Sequence, residues 1–197
     1  MGHAWIKPLS MSEMLPHYRF VVMLDSDAIF NNPELPLEWL MNYWKFTPET
    51  SLAVSGDYAG CTDTRGVECD NTGFLLAQHN NRTMELLDAW MECPTGGRYP
   101  GCADFATRFT LDQAAFNEYI RAEFNQTTDI VHLNRIETNG FWADSTGNRG
   151  IFISHFWNGR DRVKEGVGRT VMRALTARLH GFFLGHKEDL VEDWESA

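Results

Sequence analysis

The stretch RFVVMLDSDAIFNN, Arg19 to Asn32, constrains the fold more than any other part of the chain. Phe20 to Leu24 is an unbroken apolar run with Val21 and Val22 near its start. That pattern predicts a short buried strand of an α/β sheet. Asp25 and Asp27 then fall in the loop at the strand's carboxyl end, where open α/β sheets carry their ligands. Two carboxylates spaced i, i+2 in a loop can converge on one cation. Hard oxygen ligands suit Mg²⁺ or Mn²⁺, which bridges phosphate oxygens. An exposed acidic turn is the plainer alternative for the same triplet.

Further strands are expected at Ser51–Gly56, Thr72–Gln78, Asp129–Leu133 and Gly150–Phe156. Helices are expected at Pro33–Trp44, with Asn32 as cap and Pro33 in the first turn, and at Arg82–Met91, capped by Asn80 or Asn81. Two more are expected from Leu111, capped by Thr110, to about Glu123, and from about Arg169 to Phe183. Ser12–Tyr18 reads as a helix end stopped at Pro16, and Thr138–Gly150 as turn-rich. Strands interleaved with helices give an α/β class, and 197 residues suit one domain. The expected extent of that domain is residues 1–186, with an acidic tail at 187–197.

The net charge of -10 argues against a nucleic-acid partner. It leaves a small phosphate ligand open, because a bound cation supplies positive charge locally. No apolar run approaches the roughly 20 residues that span a bilayer. Cys61, Cys69, Cys93 and Cys102 form two close pairs without the spacing of a zinc site. Disulfides Cys61–Cys69 and Cys93–Cys102 are expected, against four free thiols. The sequons Asn81-Arg82-Thr83 and Asn125-Gln126-Thr127 point with the cysteines to a lumenal or secreted compartment.

Other polar groups stand at expected element ends. Asn71 and Thr72 lie at the mouth of the DNTGFLLAQ strand; an Asn amide both donates and accepts, which suits a sugar hydroxyl, or simply completes a turn. Asp112 and Gln113 open a helix, where an acid also serves the helix dipole. His155 ends a strand and is followed by Gly159 and Arg160 in a loop; imidazole ligates metals and guanidinium binds phosphate. A rival class, the haloacid-dehalogenase-like phosphatases, also places Asp-x-Asp at a strand end. Its usual continuation, DxDxT or DxDxV, is met only partly by Ala28 and Ile29.

The order of motifs carries a resemblance: Trp5 and Lys7, FVVMLDSDAIF, NTGFLLAQ with MELLDAW, DQAAFNEYI, then SHFWNGR. Over roughly Trp5 to Arg160 the series resembles glycosyltransferase family 34, which includes fungal galactosyl- and mannan-chain transferases and plant xyloglucan xylosyltransferases. The resemblance implies a partial glycosyltransferase-A-like mixed sheet flanked by helices, a UDP- or GDP-sugar donor, a glycan acceptor, Mn²⁺ (or Mg²⁺) and retention of anomeric configuration. It implies metal ligation by Asp25, Asp27 and His155, donor contacts from Asn71, Thr72, Gly159 and Arg160, and catalytic roles for Asp112 and Gln113. Arg160 stands where the family commonly has Lys, and Leu111 where a second acid often precedes Asp-Gln. The nucleoside-binding strand and loop are expected before Trp5, so the isolated chain is expected to be inactive. A non-catalytic remnant binding a glycan or a partner transferase is the alternative. The Golgi lumen is the expected compartment, in a transferase complex or alone, with any anchor outside this chain.

Overall fold

The computed structural model describes residues 3–108, 111–124, 128–142 and 149–190. The longest strand, β4 (Asp70–Gln78), lies inside a four-stranded sheet of order β1-β4-β3-β5. Its companions are β1 (Phe20–Leu24), β3 (Leu52–Gly56) and β5 (Ile130–Leu133). Strands β1 and β3 pair antiparallel with β4, while β5 pairs parallel with β3. Hence β1, β3 and β5 point the same way, and their carboxyl ends share one edge with the start of β4.

The alternation of side chains divides the core between the two faces of this sheet. Leu52, Val54, Leu75 and Ala77 face a cluster with Met11, Leu86, Leu87, Trp90, Phe116 and Ile120. Those residues come from α1 (Ile6–Met14), α3 (Asn81–Glu92) and the segment that begins with α4 (Leu111–Ala115). Ala53, Phe74 and Leu76 face the other way, onto Leu40, Trp44, Phe152 and Ile153. Leu40 belongs to α2 (Leu37–Tyr43). A second, smaller sheet, β2-β7-β6, lies on that side and is built from Ala28–Phe30, Ile153–His155 and Gly140–Phe141.

Several expectations shift. The FVVML strand exists, but each of its residues is only half-buried. It pairs on one side with β4, and no strand pairs its other edge among the described residues. The helix expected from Pro33 starts at Leu37, because Pro36 takes an extended backbone. Asn32 does not cap it; its side chain donates to the Ile151 carbonyl and accepts from Arg173. The expected strand Gly150–Phe156 narrows to β7. The last helix, α7 (Val163–Gly185), begins earlier than the sequence pattern implies. Of the two expected caps, Asn80 is the one that caps α3, accepting from the Thr83 amide at 2.8 Å.

After α4 the chain passes through a π-helical turn, Phe116–Ile120, and a last helical turn, α5 (Arg121–Glu123). The interruption has a polar cause. Asn117 accepts from the Asp70 amide and donates to the Asp70 carbonyl, both at 2.8 Å, clamping the helix onto the start of β4. π-Bulges of this kind recur beside functional sites. A short helix, α6 (Arg135–Thr138), leads into the segment expected to be turn-rich, which holds β6; residues 143–148 of that segment lie outside the described residues. Thr110, the sequon Asn125–Thr127 and residues 191–197 of the tail lie outside the described residues. Both expected disulfides are present, with Cα–Cα separations of 5.4 and 5.0 Å.

Candidate metal centre and its surroundings

The loop after β1 is fixed by backbone bonds before its side chains act. The Asp25 amide donates to the Gly73 carbonyl at 2.8 Å, and the Ala28 amide donates to the Asp25 carbonyl at 2.9 Å. The turn so formed feeds β2, whose partner β7 carries His155 opposite Ala28. Strand pairing therefore brings the imidazole to the two carboxylates.

One ligand atom each from Asp25, Asp27 and His155 lies within 4.8 Å of the others, so the three can hold a metal ion. Nε2 of His155 is 3.2 Å from Asp27 Oδ1 and 3.8 Å from Asp25 Oδ2. Asp27 and His155 are both buried, at 5% exposure, and Asp25 is half-buried. The hydrogen bond to His155 holds the Asp27 carboxyl below its ordinary range; burial opposes this, and Arg160 adds to it. Arg160 Nε lies 3.2 Å from Asp27 Oδ2 while most of its side chain stays exposed. Two oxygens and one imidazole nitrogen form a donor set suited to a divalent cation that keeps open positions for a ligand.

Behind the imidazole, Nδ1 of His155 meets Asn139 Oδ1 at 2.9 Å. The Asn139 amide nitrogen donates to the Gly56 carbonyl at 3.0 Å, which fixes the amide with its oxygen toward the ring. Nδ1 must then carry a proton, and Nε2 is the nitrogen that faces the carboxylates and would take a cation. Gly73 makes room for this arrangement. A Cβ there would lie 2.3 Å from His155 Cε1 and 2.8 Å from Asn71 Oδ1.

The other named residues lie along the same sheet edge. Lys7, from α1, reaches Asp25 Oδ1 at 3.0 Å and Asp112 Oδ2 at 3.3 Å. It also donates to the Thr72 hydroxyl at 3.1 Å, and that hydroxyl donates to Asp112 Oδ2 at 3.0 Å. Gln113 accepts from the Thr72 amide at 3.2 Å and donates to Asp57 Oδ2 at 2.8 Å. Asn71 donates to Asp57 Oδ1 at 3.2 Å and accepts from the Gly73 amide. Burial pushes the Asp112 carboxyl up, opposed first by the charge of Lys7. Burial likewise pushes Asp57 up, opposed by hydrogen bonds from the Tyr58 amide, Asn71 and Gln113.

Asp25, Asp27, His155 and Arg160 thus form one cluster, and Asn71, Thr72, Asp112 and Gln113 a second, joined to it by Lys7. Gly159 contributes backbone rather than a side chain. A Cβ there would meet the Trp142 indole at 2.3 Å, so only glycine lets the turn before Arg160 pack on that ring. Three residues at the site escape a reading of the sequence: Lys7 as a charge bridge, Asp57 and Asn139. A signal existed for Asp57, which directly follows a strand just as Asp25 does.

No protein-family model and no curated protein matches the chain. A solved structure does: the crystal structure of a glycosyltransferase involved in the glycosylation of the major capsid of PBCV-1. The match covers 86% of this chain and 73% of that one, with a TM-score of 0.58 at 15% sequence identity. The chain has a glycosyltransferase-like fold. At this identity the likeness concerns the fold and not a particular family. A mixed α/β architecture flanked by helices is what the motif order led one to expect. The dehalogenase-like reading draws no support from this fold.

Proposed function

We propose that the chain is a metal-dependent, retaining glycosyltransferase that moves a sugar from a UDP- or GDP-sugar to a glycan acceptor. The observation that carries the reading is the convergence of Asp25, Asp27 and His155 at the carboxyl edge of a glycosyltransferase-like sheet. These residues would hold Mn²⁺ or Mg²⁺, which supplies positive charge against a diphosphate leaving group. Arg160, exposed and tethered among the described residues only through Nε to Asp27, offers further donors to phosphate oxygens. Half-buried Lys7, held by buried Thr72 and Asp112, presents a polar patch suited to the donor sugar's hydroxyls. Gln113 and Asn71, braced by Asp57, complete its floor. Members of family 34 are the proposed relatives, from the motif order.

The compartment we propose is the Golgi lumen, in keeping with two disulfides and the exposed Asn81 of the first sequon. Thr83 of that sequon has a structural task as well: its buried hydroxyl donates to the Gln78 carbonyl at 2.6 Å.

The test is to incubate the chain with Mn²⁺ and a panel of UDP- and GDP-sugars, following donor hydrolysis and transfer. Calorimetric titration with Mn²⁺ and UDP runs beside it. Binding that Asp27→Asn abolishes is the expected result. Equal binding by wild type and variant would overturn the metal-dependent reading.

A further inference from the structure

Beyond the metal centre, the carboxyl ends of β3 and β5 open onto a cleft of about 550 Å³. That size falls in the range of small-molecule sites, roughly 300–1,000 Å³. It is lined by Asp57 and Tyr58, by Glu68 and Asp70 beside them, and by His132 and Arg135 at the end of β5. The cleft shares wall residues with the hydrogen-bond network of the site above. Asp57, part of its wall, is the carboxylate that receives both Gln113 and Asn71. Gly56, also in the wall, gives its carbonyl to Asn139, which holds His155.

The floor of the cleft is held together by charged hydrogen bonds. Arg121 donates to Asp70 Oδ2 and Asp63 Oδ2, both at 2.9 Å, and His132 Nδ1 meets Asp70 Oδ1 at 2.8 Å. The Cys61–Cys69 disulfide ties down the loop that carries Asp63 and Glu68. The rim is different. The Tyr58 hydroxyl, the Glu68 carboxylate and the Arg135 guanidinium make no side-chain hydrogen bond within the described residues, and Tyr58 is 57% exposed. An aromatic face with unspent donors and acceptors of both kinds fits a sugar ring, whose hydroxyls need both. Glu68 and Arg135 balance in charge, so nothing in the rim favours an anion over a neutral ligand.

We propose that this cleft is the acceptor subsite and takes the end of an uncharged oligosaccharide, with Tyr58 under a sugar ring and Asp57 at the boundary with the donor. The assignment rests on the transferase reading above.

The test uses the 197-residue chain and saturation-transfer NMR with maltose, cellobiose, lactose and mannobiose, plus 6′-sulfated lactose as a charged probe. Tyr58→Ala removes the aromatic face. Ala59→Trp fills the cleft from an exposed position, away from the core. At least one neutral disaccharide should bind, and both variants should weaken it at least about tenfold. Mn²⁺ and UDP binding, measured by calorimetry, should be unchanged in both. Disaccharide binding that is equal in wild type and variants, a sulfated probe preferred over its neutral parent, or no disaccharide binding beside intact Mn²⁺–UDP binding overturns the cleft and spares the transferase. Cleft-dependent disaccharide binding with no Mn²⁺–UDP binding supports the cleft as a glycan site and overturns the transferase instead.

Discussion

His155 Nε2 and Asp27 Oδ1 stand 3.2 Å apart although 128 positions separate them in the chain. The pairing of β2 with β7 makes that contact, and Asn139 orients the ring that completes it. Asn139→Leu should keep the fold while releasing the imidazole. Supporting partners of metal-binding histidines are worth about 10–100-fold in metal affinity. Mn²⁺ titration followed by electron paramagnetic resonance should show a loss in that range, and His155→Ala a larger one. Equal affinity in Asn139→Leu and wild type would remove Asn139 from the site.

Gly73 is the steric counterpart of the same arrangement. In Gly73→Ala the new methyl would overlap the imidazole and the Asn71 amide, both held by the rigid edge of the sheet. The expected outcome is displacement of His155, with Mn²⁺ affinity down more than tenfold and stability lower by roughly 1–3 kcal/mol, as for other overpacking changes. Calorimetry and urea unfolding read the two effects separately. A variant with native affinity would show that the ring can yield.

Lys7 neutralises two carboxylates from different parts of the chain. Its side chain is 11% exposed and that of Asp112 only 3%. Lys7→Met leaves Asp112 buried without its cation, a change that costs about 3 kcal/mol in comparable pairs. The Asp112 carboxyl should then titrate still higher, because the charge that opposes its burial is gone. Urea unfolding at neutral pH and carboxyl NMR of the variant test both statements. Lys7→Arg should restore stability in part.

Acid should weaken the loop around Asp63. Burial pushes that carboxyl up, but hydrogen bonds from Arg65, Arg121 and the amides of Val67 and Arg65 outweigh it, so the folded group titrates well below the ordinary range. A depressed folded pKa contributes stability that is complete above the unfolded value, near 4, and lost as pH falls through the folded value. Stability should therefore decline below about pH 4, and Asp63→Asn should flatten that decline while lowering stability at pH 7. An unaltered acid limb in the variant would contradict the assignment.

The two disulfides close loops of similar length, with sequence separations of 8 and 9. Each should add a few kcal/mol at most, mainly by restricting the unfolded chain. Non-reduced mass spectrometry should find no free thiol, and reduction should lower the urea midpoint.

Much of this protein follows from local sequence. An apolar run of five residues with valines near its start, ended by charges, is too short for an ordinary helix and reads as a strand and its loop, so β1 and the acidic pair were legible, as were β3, β4 and a cap at Asn80 or Asn81. Paired cysteines eight or nine residues apart have few other partners within reach. Other features depend on which elements become neighbours, and periodicity carries no such information. Phe20–Leu24 reads as a buried strand, yet only the strand order puts it at an edge, half-buried. The helix from Leu111 reads as regular, yet Asn117 breaks it by binding both backbone groups of Asp70, a residue 47 positions away. Lys7, Asp57 and Asn139 look ordinary in the sequence because their roles are relational. A lysine gains its meaning from two carboxylates that α1 happens to face, and an asparagine from the imidazole that sheet pairing sets beside it. The sequence determined which groups were available for chemistry. The tertiary structure decided which of them meet, because hydrogen bonds and charge pairs act over a few ångströms of space, whatever the distance along the chain.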